Sequence, residues 1–457
     1  MAVTINQQPT SPNMANADLL WSVSSTVSTQ PQFQFICDVY ESGSAFTAAN
    51  LLQRVKQQPN PSGYGVFNLG QILTTYVESD NVWEAAPFAT SSNCNKDFVV
   101  LFGEEYGTSV SSSITIYNGT GATPGNPAKS GSEFYTVTDG LVDPYNAVNW
   151  NFASASYYNA ISASSADTYN YQNTLSNSPV TQSVQDGEYH TIALYNGNVD
   201  NGQVYAQDFY YVSIQVYNSA GSQIQNINYY NTTVDNGGPR TSEADFWGDA
   251  GVYDAQTNKT RLIHIGVGPQ NLADSSNTLN TAWDYYTVTI MGQGDDGLEN
   301  NSGIFATLKF TKSTGECSYN GVRFAWKNEF GVWDYYTFTL QSDSTFNITR
   351  ESYDQTFVDY STANTSVSYD KSRRGSRQFY NALDNVKTAN SNWLTQAEAD
   401  WLRELFFSAN VYIQDGTDML PVVITSANMT EKTNPRTQKN FQYNIEFKPA
   451  NQLRPRE

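Results

Sequence analysis

The chain carries few of the groups that do chemistry. Its 457 residues include only two histidines, His190 and His264, and three widely separated cysteines, Cys37, Cys94 and Cys317. Two histidines cannot build a multi-histidine metal centre, and without CxxC or Cys/His spacing neither a zinc site nor a disulfide framework is expected. Phosphate-loop, GxSxG and HExxH motifs are missing, so the usual signatures of nucleotide binding, acyl transfer and zinc proteolysis are not there. Basic charge is also scarce: 24 Lys and Arg stand against 44 Asp and Glu, a formal net charge of −20. A nucleic-acid groove needs a basic footprint, which excludes that function as the main one. No apolar run reaches the roughly 18 residues of a spanning helix, so none is expected. The first 20 residues have neither a positive n-region nor an apolar h-region, and no secretory signal is expected there.

Aromatic and small polar residues are present instead. Aromatics make up 14% of the chain, with 31 Tyr, while charged residues make up only 15%. Tyr and Thr suit a pleated, half-buried backbone; Asn, Gly and Ser suit the turns between strands. At 457 residues the chain is too long for one ordinary core, so two to four domains are expected. Charge is unevenly placed. From Ile348 onward 13 basic residues balance 13 acidic ones, so the first 347 residues carry the whole −20. Such an acidic body reads either as a solvated surface that maintains solubility or as the solvent-facing part of a chain whose neutral tail docks against something.

A repeated pattern organises the middle. "DFYYVSIQV" from Asp208, "WDYYTVTI" from Trp283 and "WDYYTFTL" from Trp333 share an Asp, an aromatic pair, and then alternating apolar and Ser/Thr positions. Tyr210, Val212, Ile214 and Val216 fall on one face, as do Tyr286, Val288 and Ile290, and again Tyr336, Phe338 and Leu340. That alternation predicts antiparallel strands with one buried face. The spacings of 76 and 50 residues are unequal, which excludes a strict solenoid or propeller. Strands are also predicted at "FQFICDVY", with Phe33, Phe35, Cys37 and Val39 together, and at "DFVVLFG" and "SITIYNG". "NLGQILTTYV" fits a helical period as well. One helix is predicted in "LTQAEADWLRELFF", where Thr395 and Glu398 form a capping box and Leu402, Leu405 and Phe406 an apolar stripe. The expected fold is mainly β: multi-domain antiparallel β-sandwiches with a small C-terminal α+β domain carrying one helix. The expected parts are an extended arm over 1–20, a β-rich domain with long loops over 21–185, a β-sandwich over 186–347 and a docking domain over 348–457.

The candidate sites are few. His190 alternates with Ile192 and Leu194, and His264 sits in "RLIHIGVG"; both read as core or edge histidines with no triad-like motif nearby. Asp295, Asp296 and Glu299 crowd one loop, either a solvated acidic loop or a calcium site. The loop lacks the alternate-position oxygens and terminal Glu of a helix-loop-helix calcium site. Trp283 and Trp333 read as packing residues or as platforms for sugar rings. Lys371, Arg373, Arg374 and Arg377 cluster in "KSRRGSR", and Arg454 and Arg456 lie near the end. These six residues are the candidate assembly interface, with a solvated loop as the plainer reading. No catalytic residue, cofactor site or metal site is assigned.

Three segments carry a resemblance: "RVKQQPNPSGYGVFNLGQIL" from Arg54, "FAWKNEFGVWDYYTFTL" from Phe324, and the stretch from "SNWLTQAEADWLRELFF" at Ser391 through "PVVIT" to "NIEF" and Arg456. With the pattern N-x-F-G-x-W-D at Asn328–Asp334 before a strand, they resemble virion structural proteins of tail or baseplate type. The likeness is to tailed bacteriophages of Bacteroidota, crAss-like phages included, and to related marine phages. It implies a non-enzymatic assembly component that contacts copies of itself and other virion proteins. It also implies a place in the virion, assembled in the host cytoplasm, with no nucleic-acid partner and no membrane span. A host-surface glycan-binding adhesin is the alternative. A polysaccharide-degrading enzyme, which needs only two suitably spaced carboxylates, stands third.

Overall fold

The structure of the chain, a computed structural model, describes residues 3–11, 13–41, 44, 46–91, 93–117, 135–141, 174–195, 209–230, 262–292, 304–313, 321–355, 358–360, 366–369, 375–426 and 442–451. It is mainly β, built of several antiparallel sheets with few and short helices. Two compact units divide it: Met1–Ser313 with Lys327–Asp334, and Thr314–Trp326 with Tyr335–Glu457. Among the described residues no helix is long and apolar enough to cross a membrane.

The first unit opens with a sandwich. One sheet runs Thr4–Gln7, Leu20–Ser24, Tyr64–Asn68; the other runs Asn13–Met14, Tyr135–Thr138, Asn95–Tyr106, Gln34–Glu41, Leu51–Gln57. Their inner faces meet in one core, where Trp21, Val23 and Phe67 face Phe35, Cys37, Val39, Phe98, Val100 and Tyr135. Trp21 and Tyr135 touch edge to face at 4.9 Å, a geometry that aligns the positive ring edge with the negative face. The predicted inward set Phe33, Phe35, Cys37 and Val39 is buried as a group. "NLGQIL" does form a helical turn, Gly70–Leu73, rather than a strand.

A second sandwich follows in the same unit. Thr181–Val184, Ile304–Lys312, Tyr285–Gly292, Phe209–Tyr217 and Gln223–Tyr230 make a five-stranded sheet. Thr191–Tyr195, Leu262–Gly266 and Phe88–Thr90 make a three-stranded one. Two of the three repeat copies are hydrogen-bonded neighbours here, with Val212 opposite Ile290, Ile214 opposite Val288 and Val216 opposite Tyr286. All six of these side chains are fully buried. The repeat is thus two adjacent strands offering the same face to one core.

The third copy belongs to a different sheet. A seven-stranded sheet, in the second unit but for Lys327, Trp333 and Asp334, runs Trp333–Phe338, Val322–Lys327, Val411–Asp415, Asp418–Ile424, Asn444–Pro449, Ser376–Asn390, Ser342–Asp354. The helix Gln396–Phe407 lies on this sheet, its Trp401, Leu402 and Leu405 packed with Phe324, Phe338, Val411, Ile445 and Phe447. Thr395 caps it, with both hydrogen bonds of the capping box made. Unlike the other copies, Trp333–Phe338 is buried on both faces: Tyr335 and Thr337 are covered as well as Phe338. The Arg323 guanidinium fills that second face, donating to Thr337 Oγ1 at 3.1 Å and stacking 5.4 Å from the Tyr335 ring.

Three expected boundaries shift. The first 20 residues are no free arm: Thr4–Gln7 pairs with Leu20–Ser24, Asn13–Met14 pairs with Tyr135–Thr138, and Met14, Ala15, Ala17 and Leu19 are buried. Residues 185 and 186 do not separate two domains, because Phe88–Thr90 is the outer strand of the second sandwich. The C-terminal unit begins before 348, since Val322–Lys327 pairs with Val411–Asp415. Each shift has one cause, strand pairing between segments far apart in sequence.

Candidate functional site

The pattern Asn328-x-Phe330-Gly331-x-Trp333 has a definite structural use. Within the first unit, Asn328 Oδ1 accepts from the amides of Phe330 and Val332 at 3.0 and 3.2 Å, while its Nδ2 donates to the Leu175 carbonyl at 2.8 Å. This side chain replaces backbone partners and closes the turn. Gly331 has φ +76°, and a Cβ there would lie 1.6 Å from the Asp139 carbonyl oxygen, so only glycine fits. Phe330 and Val332 enter an apolar cluster with Met14, Cys94, Leu175 and Leu262. Trp333 Nε1 donates to the Asp80 carbonyl at 2.7 Å, and its ring meets Trp83 at 5.5 Å. Lys327 pairs with Asp139, and Ser79 Oγ reaches both Asp139 Oδ2 and the Gly331 carbonyl. The result is a polar clasp around a buried turn.

Cys94 touches this clasp, its thiol donating to the Gly331 carbonyl at 3.4 Å, and His264 is the other buried group of a type used in nucleophilic catalysis, but the environment of each opposes that use. Burial pushes the Cys94 thiol up to about 12, leaving no thiolate near neutrality. Burial likewise takes His264 down to about 4, and neither of its ring nitrogens has a hydrogen-bond partner among the described residues. Cys37 is raised by burial too. Asp80 is pulled up by burial, yet hydrogen bonds from Asn93, Ser91 and the Cys94 backbone outweigh it and hold the carboxyl below its ordinary range. His190 is a core residue, its backbone amide bound by Asn271 Oδ1 at 2.8 Å and its ring edge-on to Phe310 at 4.8 Å. Among the described residues no three His, Cys, Asp or Glu converge as a metal site. The loop bearing Asp295, Asp296 and Glu299, and Cys317, lie outside the described residues.

Trp283 and Trp333 are both 3% exposed. Each satisfies its indole N–H inside the protein, Trp283 on Asp186 Oδ1 at 2.8 Å. Neither is a sugar platform. Of the candidate interface, Lys371, Arg373, Arg374, Arg454 and Arg456 lie outside the described residues. Arg377 is described: it is exposed and stands opposite Tyr353 in a paired strand.

That strand belongs to the most open feature among the described residues. Ser342–Asp354 and Ser376–Asn390 pair antiparallel along their length, with one register shift after Glu351. Among the described residues, Ser376–Val386 of the second strand has no neighbour on its other side, since Asn444–Pro449 meets this strand only at Lys387–Asn390. A two-stranded ribbon, Thr345–Asp354 with Ser376–Val386, therefore extends from the sheet, roughly 33 Å long at 3.3 Å per residue. All thirteen residues of Ser342–Asp354 are exposed. Phe346 and Ile348, 57% and 52% exposed, face the same way as the buried Ala389, because Phe346 opposes Asn385 and Ile348 opposes Leu383. The helix-bearing apolar face thus continues past the helix, which at twelve residues is only about 18 Å long. Tyr353, Phe379 and Tyr380 add exposed rings further along.

The sequence signal for this ribbon lies in "STFNIT", where Thr345, Phe346, Ile348 and Thr349 favour a strand and no charge, proline or glycine interrupts. No family model matches the chain, and no curated protein matches it.

Proposed function

We propose that the protein is a non-enzymatic structural component of a tailed phage virion, a tail, baseplate or ring protein that acts through assembly with copies of itself and other virion proteins. The observation that supports assembly is the ribbon: a two-stranded element whose outer strand, Ser342–Asp354, is exposed along its whole length is marginal by itself and reaches full order against a partner. The virion assignment rests on the resemblance of the three sequence segments. The clasp adds a physical reason for one of those motifs, since Asn328, Gly331 and Trp333 each meet a need of a buried turn rather than of a substrate. Raised thiols and a lowered, buried imidazole speak for a scaffold. Mass spectrometry of purified particles tests the reading. The chain is expected among the virion proteins, and its absence from them ends the proposal.

The adhesin alternative keeps one observation. Trp393 is 64% exposed, just ahead of the C-terminal helix, and could stack on a sugar ring. Glycan-array binding that is lost in Trp393→Ala would favour it over the structural reading.

A further inference from the structure

The strand Ser342–Asp354 ends a seven-stranded sheet with every residue exposed, whereas Trp333–Phe338 at the other end has side chains buried on both faces. Edge strands in monomeric proteins carry lysine, proline, a bulge or inward charge to discourage pairing. Here the protective features lie away from the centre. Asp343, Arg350, Glu351 and Asp354 flank the uncharged Ser344–Thr349, and the register shift comes after Glu351. The centre is a bare row of donors and acceptors with Phe346 and Ile348 beside it.

Charge decides what can approach. The first unit holds 10 Lys and Arg against 29 Asp and Glu, a net −19; the second holds 14 against 15, a net −1. Two copies meeting through first units bring like charges together, whereas the ribbon can meet its own copy without that repulsion. Resting on the assembly reading above, we infer that the free edge of Ser342–Asp354 pairs antiparallel with the same strand of a second copy, about a two-fold axis at Asn347.

The register follows from the side chains. With Asn347 opposite its own copy, Phe346 opposes Ile348 of the second chain twice over, and Thr345 opposes Thr349 twice. Aromatic with β-branched and Thr with Thr are favourable cross-strand pairs. Ser344 then meets Arg350. One step further Asp343 meets Glu351, a like-charge pair that ends the ladder on both sides. Seven residues from each copy, Ser344–Arg350, supply about seven main-chain hydrogen bonds, within the usual range for a specific interface. The two-fold requires the same strand from both copies, so the association is closed.

The test uses the full chain. Mass photometry and analytical ultracentrifugation are expected to show a concentration-dependent dimer. Phe346→Lys and Ile348→Lys are each expected to leave a monomer at concentrations where the natural chain is dimeric. Both residues are exposed in the single chain, so an unchanged melting temperature of the dilute variant shows that folding is intact. Glu351→Lys converts both terminal like-charge pairs to opposite pairs and is expected to tighten the dimer several-fold, a change of sign that general damage cannot mimic. In a Cys317→Ser background, with Cys37 and Cys94 buried, nitroxide labels at Asn347→Cys are expected closer than about 20 Å between copies. Labels at Asp354→Cys are expected about 45 Å apart, seven residues from the axis on each side. A chain that stays monomeric, a dimer indifferent to the lysines, a weaker dimer in Glu351→Lys, or a larger spacing at 347 than at 354 each overturns the inference. Recovery of the chain from particles by mass spectrometry is read separately, so a failed pairing is distinguishable from a failed virion assignment.

Discussion

Two strands hold the same topological place, the end of a large sheet, and are finished differently. Leu51–Gln57 closes the larger sheet of the first sandwich, which also carries the short strand Thr115–Tyr117 paired to Asn95–Tyr106. Leu51–Gln57 carries Arg54 and Lys56, which pair with the buried Asp38 and Glu105 at 2.6 and 2.7 Å. Long cations on an edge discourage further strands, and here they also neutralise two carboxylates that burial would otherwise penalise. Ser342–Asp354 closes the seven-stranded sheet and has no lysine, no proline and an uncharged middle. The first edge is covered by its own cations; the second ends its sheet with all thirteen residues exposed. The same contrast runs through the side chains. Among the described residues the first unit leaves one large aromatic exposed, Tyr64, while the second exposes Phe346, Tyr353, Phe379, Tyr380, Trp393 and Phe407.

The sharpest way to break this contrast is to truncate one ring on each side of it. Trp333→Ala removes a buried indole and leaves the Asp80 carbonyl without its donor, which is expected to cost about 3–5 kcal/mol in denaturant unfolding. Loss of much less than that would mean the clasp is not closed.

The next largest effect depends on pH. His264 titrates near 4 in the folded chain and near 6.5 when unfolded. Between those values the unfolded state binds the proton and the folded state does not, so stability falls as pH falls from 6.5 to 4. The loss is on the order of 3 kcal/mol over that window. His264→Leu is expected to flatten this limb of the stability–pH curve, while acid loss below it persists, since Asp80 is held below its ordinary range. An unchanged slope in His264→Leu would show that the imidazole reaches water.

Smaller effects probe the second unit. Thr395→Ala removes the capping-box hydroxyl that accepts from the Glu398 amide and is expected to cost about 1 kcal/mol, read as a lower thermal midpoint. Phe346→Ala, in the dilute single chain, is expected to change stability by no more than about 0.5 kcal/mol. If it costs as much as Trp333→Ala, the ribbon is packed against something within its own chain.

Much of the fold was legible because local patterns are read locally. The period-two alternation at Val212, Ile214 and Val216, and again at Tyr286, Val288 and Ile290, names the buried face in both strands. The Thr395–Glu398 spacing names the helix start. What pairs with what was not legible. Nothing in the composition of residues 1–20 announces that Asn13–Met14 joins Tyr135–Thr138, because pairing depends on backbone atoms that every residue has. The clasp was hidden for the same reason: Ser79 and Gly331 are 252 residues apart, and the turn chemistry of Asn328 is visible only once Leu175 stands beside it. For the candidate surface, the neutral charge of the C-terminal part was readable. A boundary drawn at Ile348 nevertheless cut the ribbon through its middle, because a change of composition is not a change of pairing.

Deuterium uptake of the full chain, followed from dilute solution into the concentration range of association, tests the central claim most directly. Peptides covering 342–354 and 376–386 are compared with Phe209–Tyr217 and Tyr285–Gly292 as the internal reference. The ribbon is expected to exchange quickly when dilute and to slow as copies associate, while the reference strands stay slow throughout. A ribbon already as slow as the reference in the dilute monomer, or one unchanged by association, would contradict the account.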